Sequence, residues 1–382
     1  MAKLRNFTRR FLIISNVVVV ILFLLACANA FLHPSRWWPI SLLGLIFPLL
    51  LFLLILFFIF WLFSSKRYWA IVSLVTLIIG WQNIHAFFSF NISSSFNEQK
   101  PDSALRIITW NVRRWDEFIT NKPGASNHRS KMLDFLKEQN GDVLCLQEFF
   151  ESHNPRELAS NIPFIQKQLN YPYYYFSRDY QHYSGIYESG VIIFSKYPIV
   201  DSLKLSYKST DNFRASESLI AVDLNVNGKT IRVFTTHLQS VLFGNKEFRD
   251  IEIIKNVDDS TLQASKSIVK KLRRAYGFRS GQADIVREQL DKSPFPAIIC
   301  GDFNDVPNSY TYFHIRGHMQ DAFIKKGFFG VGRSYVHLSP TLRIDYIFAD
   351  DQFTVLQCKK FNLPYSDHHP VVADLRLTSQ TN

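Results

Sequence analysis

Residues 11–32, 37–65 and 68–97 contain no charged side chain, and the first 97 residues carry seven Lys or Arg and no Asp or Glu. Few chains can fold such runs into a soluble core. A helix rises ~1.5 Å per residue, so about 20 apolar residues cross the hydrocarbon of a bilayer. In lipid the backbone must bond within its own segment, which selects helices. The pattern predicts three transmembrane helices over roughly 11–32, 40–63 and 68–90, with Gln82, Asn83 and His85 near the far end of the third. A buried hairpin of a soluble protein is the competing reading, and it does not explain why Lys and Arg occur only in the gaps.

The same cations set an orientation. Lys3, Arg5, Arg9 and Arg10 precede the first run, Arg36 alone follows it, and Lys66 and Arg67 separate the second from the third. Positive charge is retained on the cytoplasmic side. The N-terminus and the Lys66–Arg67 turn are therefore expected inside, and everything after about residue 95 outside. Trp37, Trp38, Trp61, Tyr68 and Trp69 sit near the expected interfaces, as aromatic anchors do.

Locating the charge also corrects a misleading total. The chain is +11 overall, but without the first 97 residues only +4 remains. The basic excess reads as membrane topology, and a nucleic-acid surface is not required by it. Four cysteines with no C-x-x-C pair exclude a disulfide scaffold or a thiolate zinc site as the organising principle. Cys145, Cys300 and Cys358 lie in apolar strand-like runs and read as buried, inert thiols.

The expected organisation is a membrane module (1–95), a polar linker (96–103) and a soluble domain (104–382). Within the domain short strands alternate with helices. RIITWNV (106–112), DVLCLQE (142–148), GVIIFS (190–195), AIICGDF (297–303), RIDYIFA (343–349) and VVADLRL (371–377) read as strands. Asn227-Gly228 between two alternating runs predicts a hairpin. Residues 129–139 and 261–292 carry helical spacing. A layered α/β domain with a large core follows.

Polar residues recur at the ends of these strands. Asn111 follows RIITW, Glu148 ends DVLCLQ, His237 ends IRVFTT, Asp302 and Asn304 follow AIICG, Asp345 lies in RIDYIF, and Asp367 and His368 precede HPVVADL. A single such residue is more often solvated or a cap; eight in one context are hard to obtain by accident. The set is rich in carboxylate and amide oxygen with two imidazoles and no thiolate, which suits Mg²⁺ or Mn²⁺ better than zinc. Phosphate-ester hydrolysis needs an ion or donors on the non-bridging oxygens, an activated water and help for the leaving oxygen. His369, beside His368, reads as structural, because adjacent side chains point in different directions. Arg113 and Arg114 read equally as phosphate contacts or as ordinary exposed arginines.

TWNVRRW, LCLQE, GVIIFSKYPI, TTHLQS, the R-x-x-Q-A of Arg279 to Ala283, GDFND, RIDYIF and SDHHPV occur in the order seen in the endonuclease/exonuclease/phosphatase superfamily, which the chain resembles over roughly 104–378. The resemblance implies a four-layered α/β sandwich, two packed β-sheets flanked by helices, with its active site at one edge. It implies that Glu148 is the principal metal ligand and that Asn111 and Asp367 complete the metal site. Asp302 and Asn304 would hold and polarise the attacking water or the phosphate. His237 would serve the phosphoryl oxygens or the leaving group. His368 would be general base or phosphoryl donor, oriented by Asp345. The chain departs from the pattern between Ser240 and Phe278, where an insertion carries Lys266, Lys270, Lys271, Arg273 and Arg274 among apolar residues. It reads as a basic amphipathic helix for a polyanion or anionic headgroups, or as a solvated helix face.

The expected function is a membrane-anchored, extracytoplasmic, Mg²⁺- or Mn²⁺-dependent phosphoesterase that hydrolyses phosphodiester or phosphomonoester bonds by metal-assisted water attack, with an endonuclease or exonuclease as one reading. Its partners would be the bilayer and a substrate that is a nucleic acid, a phospholipid headgroup or a small phosphodiester. Nothing points to an obligate protein partner. The alternatives are a lipid- or small-molecule-directed phosphodiesterase or phosphatase of the same fold and, in a different class, an inactive binding scaffold.

Overall fold

The computed structural model describes residues 2–93, 95–117, 128–207, 216–243 and 261–378. Residues 244–260 of the insertion and Ser94 of the polar stretch lie outside the described residues. The chain divides into two compact units, one of residues 1–88, 243–281 and 306–314, the other of residues 89–242, 282–305 and 315–382.

In the first unit, helices Ala2–Ala28 and Pro34–Leu62 are each long and apolar enough to cross a membrane. The third run is a bent pair, Tyr68–Ile79 and Trp81–Phe87, turned by 62° at a break that falls on Gly80. The run expected as a third span, about 68–90, is thus two helices with a sharp bend between them. The apolar face turned away from the bundle includes Phe52, Ile55, Leu56 and Ile59, all exposed. Buried among the helix ends is a cluster of amides. Asn29 Nδ2 donates to the Asn308 carbonyl at 2.7 Å. Asn83 Nδ2 donates to Asn308 Oδ1 at 3.1 Å and lies 3.3 Å from the Cys27 carbonyl. Gly44 permits this approach, since a Cβ there would stand 2.8 Å from the Asn308 carbonyl oxygen and 2.9 Å from Asn29 Nδ2.

The second unit is a layered α/β sandwich with thirteen strands in two sheets among the described residues. The first sheet holds β1 (Leu105–Asn111), β2 (Val143–Ser152), β3 (Tyr173–Phe176), β4 (Tyr180–His182) and β5 (Tyr187–Ser195). It ends with β12 (Phe353–Lys360) and β13 (Val371–Leu377). The second holds β6 (Ile199–Leu205), β7 (Glu217–Val226), β8 (Lys229–His237), β9 (Ala297–Asp302), β10 (Gln320–Asp321) and β11 (Asp345–Ala349). The strand orders are β12-β13-β1-β2-β5-β3, with β4 on β5, and β10-β11-β9-β8-β7-β6.

Strand alternation separates the layers. Ile107, Val143, Cys145, Val191 and Ile193 meet Val222, Val233, Ile298, Cys300 and Ile347 in one continuous core between the sheets. Their neighbours Ile108, Leu144, Leu146, Ile192 and Phe194 point the other way and pack with Met132, Leu136 and Ile165 of helices His128–Gln139 and Ile162–Gln168. Each such side chain, fully buried, contributes roughly 1.5–3 kcal/mol. All four cysteines are buried and free.

Residues before β1 are bonded to this sandwich. Ser89 bridges Gly330, Arg106 Nη1 donates to the Glu98 carbonyl at 2.9 Å, and Lys100 pairs with Asp142 at 2.6 Å. The segment expected as a free linker is therefore stitched down along its length.

Candidate active site

The topology gathers the polar strand ends. β1 and β2 are parallel, so Asn111 and Glu148 leave the sheet at the same edge. β8 and β9 are parallel with His237 opposite Asp302, and β11 is antiparallel to β9 with Asp345 opposite Asp302. Asp302 is thus flanked within one sheet by His237 and Asp345. β13 runs antiparallel to β1, which brings the preceding Asp367 and His368 to the end of β1.

Two local devices aim the side chains. A bulge interrupts the β2–β5 register between Leu146 and Phe149, and Glu148 takes φ +47° there. Bulges turn a side chain out of the strand's alternation, and a left-handed non-glycine residue stores backbone strain. Gly301, at φ +141°, lets β9 pass close to β8, since a Cβ would meet the Thr236 carbonyl oxygen at 2.1 Å. Any other residue there would part the strands that carry His237 and Asp302.

One oxygen of Asp302 is the focus. Its Oδ2 accepts from Asn111 Nδ2 at 3.1 Å and lies 3.5 Å from His237 Nε2 and 3.6 Å from His368 Nε2. The other oxygen accepts from the Asn304 amide N–H at 2.9 Å. Asn111 Nδ2 also reaches Glu148 Oε1 at 3.1 Å, so a single nitrogen joins two carboxylates. Its Oδ1 accepts from Arg113 N–H, which fixes the amide orientation. His368 Nδ1 bonds Asp345 Oδ2 at 2.9 Å, and Asn304 Nδ2 donates to the Leu238 carbonyl. The ring of Tyr335 lies 5.0 Å from that of His368.

Burial and charge set the protonation. Burial alone would lower His368, but Asp345 and Asp302 outweigh it and hold the imidazole well above its ordinary pKa. Burial likewise opposes the charge on His237, and Glu217, Asp302 and Glu148 raise it to about 9. Asp302 is raised, chiefly by burial and also by Asp345, against the pull of the two imidazoles. Both rings are therefore cations at neutral pH, disposed to donate.

All eight expected residues lie at this edge. Asn111, Glu148, His237, Asp302, Asn304, Asp345 and His368 are joined by the contacts above. Asp367 is joined less directly. The Ser366 hydroxyl stands 2.8 Å from the Asn111 carbonyl and 3.3 Å from Asp367 Oδ1, and Arg113 Nε approaches Asp367 Oδ2 at 3.5 Å. His369 faces away: its Nδ1 accepts from the Leu363 N–H, and burial with Lys360 and Arg333 lowers its pKa to about 4.

Glu217 was not anticipated. It is buried, accepts from the Glu148 N–H at 2.9 Å, and lies 3.3 Å from His237 Nδ1. Counting outward from the Asn227-Gly228 turn would pair Glu217 with Leu238; a bulge between Glu217 and Ile220 shifts it to His237. The hairpin was a usable signal, and the bulge concealed its outcome.

Two donor sets could hold a metal. Asp302, Asp345 and His368 offer ligand atoms within 4.8 Å of one another. Here an imidazole already sits between two carboxylates with Nδ1 engaged. The set of Glu148, Asn111 and Asp367 is oxygen-rich, and its two carboxylates are only partly buried. That suits a hard cation that keeps several waters. An ion there would find oxygen donors from the ends of two strands and from the turn before β13.

Residues 89–368 match the Endonuclease/Exonuclease/phosphatase family, and residues 9–87 match a Domain of unknown function (DUF8431). No curated protein matches. Solved structures are similar to the chain at low identity. An endonuclease/exonuclease/phosphatase from Beutenbergia cavernae is 20% identical with a TM-score of 0.48, over 72% of each chain. The human Nocturnin catalytic domain with bound sulfate is 17% identical with a TM-score of 0.49, over 75% of this chain and 97% of that one. D. rerio TDP2 with a single-strand DNA product is 16% identical with a TM-score of 0.47, over 72% of this chain and 100% of that one.

Proposed function

The chain belongs to the endonuclease/exonuclease/phosphatase family, and from that premise we propose that it is a membrane-anchored, Mg²⁺- or Mn²⁺-dependent phosphoesterase whose sandwich lies outside the cytoplasm. The observation that carries the reading is the convergence of Asn111, His237 and His368 donors on Asp302 Oδ2. Amide and imidazole donors gathered around a carboxylate at one sheet edge supply both a base for water and donors for a phosphoryl group, where catalysis is mostly positioning and electrostatic stabilisation.

Glu148, Asn111 and Asp367 would hold the ion. When bound, it supplies a Lewis acid for a phosphoryl oxygen and acidifies nearby water. His237 and His368, as imidazolium ions, donate to non-bridging oxygens, and either can return a proton to the departing alkoxide. Asp302 is the base. Its raised pKa makes it a better proton acceptor than an ordinary carboxylate, and the Asn304 N–H fixes its rotamer. Asp345 and Glu217 act through the two rings, holding each in orientation and in its charged form. Asn304 positions the water through the loop that its own side chain ties to Leu238. Asp345 and Asp302 hold the His368 ring in its charged form, which supports His368 as donor and leaves Asp302 as base.

Two long apolar helices and a bent third support the anchor, and the Lys and Arg flanks support the orientation. The proposed catalytic residues all lie after residue 104, in the unit that holds the sandwich.

The test is hydrolysis of bis-p-nitrophenyl phosphate by the full chain in detergent. Turnover is expected with Mg²⁺ or Mn²⁺, abolished by EDTA and reduced at least a hundredfold in Glu148→Ala. Absence of metal-dependent turnover above that control would favour a non-catalytic scaffold. A panel of plasmid DNA, RNA, phospholipids and nucleotides then assigns the substrate. A reporter fused after residue 95 that is active only in the cytoplasm would reverse the orientation.

A further inference from the structure

The first unit contains a second place built for negative charge, and the phosphoesterase reading leaves it unused. In the helix Thr261–Asp291, Lys266, Lys270 and Arg273 stand four and three residues apart and so share one face. All three are exposed. With Ser265, Val269 and Trp38 they line a cleft of about 330 Å³. The Arg273 guanidinium stacks over the Trp38 ring at 5.3 Å. Among the described residues, no carboxylate lines the cleft.

Trp38 fixes the level of this cleft. It lies in the first turns of the helix Pro34–Leu62, the second of the two long apolar helices, at the end where that helix leaves the bilayer in the anchored reading. Tryptophan prefers the headgroup depth. A helix presenting cations above an apolar floor at that depth matches the two halves of an anionic phospholipid. Its phosphate meets Lys266, Lys270 and Arg273, and its glycerol and first methylenes meet Val269 and Trp38. A free anion would have no use for the indole. A nucleic acid would need a cationic track longer than these two turns.

We propose that this cleft binds the headgroup of an anionic phospholipid on the outer side of the membrane, a site separate from the catalytic edge. The proposal rests on the reading that the apolar helices lie in a bilayer. Each lysine or arginine near an anionic surface adds about 1 kcal/mol, so three give a preference well above tenfold for an anionic over a zwitterionic lipid.

The experiment uses the full chain in a neutral detergent, titrated with phosphatidylglycerol or phosphatidylcholine and examined by native mass spectrometry. The wild type is expected to retain phosphatidylglycerol at least tenfold better than phosphatidylcholine. The triple variant Lys266→Gln, Lys270→Gln, Arg273→Gln is expected to lose that preference, with turnover of bis-p-nitrophenyl phosphate unchanged. Equal retention of both lipids by the wild type, or a preference that survives in the triple variant, overturns the site. So does displacement of phosphatidylglycerol by millimolar inorganic phosphate, which would reveal a simple anion site, or by a 20-nucleotide oligomer, which would reveal a polynucleotide track. Flotation with phosphatidylcholine vesicles tests the premise separately. A chain that does not float overturns the anchor, and the headgroup site with it, while leaving the hydrolase reading intact.

Discussion

The two units each bury a cluster of polar side chains, and the clusters are built on opposite principles. At the sandwich edge the buried groups are ions: Asp302, Asp345 and Glu217 around two imidazolium rings. Among the apolar helices they are neutral amides: Asn29, Asn83 and Asn308. Burying an unpaired ion costs several kcal/mol, so each ion of the first cluster has a partner of opposite sign within 4 Å. An amide carries no net charge, so its burial is tolerated even though, among the described residues, Asn29 Oδ1 and Asn308 Nδ2 have no hydrogen-bond partner. Charge that can be repositioned does chemistry; paired amides hold backbone in place.

That contrast can be broken by experiment. The largest effect is expected from Asp302→Asn, which removes the charge and keeps the shape. Turnover should fall about a thousandfold, the scale for a lost electrostatic group, with little change in the thermal midpoint. Asn29→Leu should do the reverse. It leaves the buried Asn308 carbonyl without its 2.7 Å donor, costing about 1–3 kcal/mol of stability. Calorimetry and kinetics on both variants decide. If both lose stability and activity alike, the two clusters do not differ as argued.

A smaller effect is expected from Glu217→Gln. His237 titrates at about 9 because carboxylates surround it, and neutralising one of them lowers that value. Imidazole NMR of the metal-free chain should show His237 releasing its proton at lower pH than in the wild type. Turnover should fall about ten- to a hundredfold, with its alkaline limb moved to lower pH. An unmoved titration would remove Glu217 from the site.

The smallest and most local comparison is between neighbours. His368 faces two carboxylates and is raised; His369 faces Lys360 and Arg333 and is lowered to about 4. A ring whose folded pKa is depressed contributes stability above its unfolded value of about 6.5. That contribution is lost as the pH falls through about 4. His369→Gln should therefore flatten the fall of the thermal midpoint between pH 6.5 and 4. An identical slope in the two proteins would show that the ring does not resist protonation.

The adjacent histidines also show how far the sequence reached. That the site is made of strand-end residues was legible, because apolar runs closing on Asn, Asp, Glu and His repeat along the chain. That one of two neighbouring histidines serves the site follows from alternation. Which carboxylate attends each ring was not legible. Glu217 is joined to His237 only through a bulge that moves the register by one residue. The segment expected as a tether looked free because its polar composition carries no sign of Arg106 and Asp142 reaching it. The third apolar run looked continuous because hydropathy averages over the break at Gly80 that bends it.

Local chemistry alone dictated the apolar helices, the strands of the sandwich and the residue types of the site, since helix, strand and ligand preferences are properties of short stretches. The tertiary structure decided what those pieces do to one another. It set the Asp302 oxygen on which donors from two strands and the turn before β13 converge, raised one histidine and lowered its neighbour, and placed a tryptophan in one cleft with three cations. Each of these depends on distances between residues far apart in the chain, and electrostatic energy depends on distance and burial, which no linear pattern encodes.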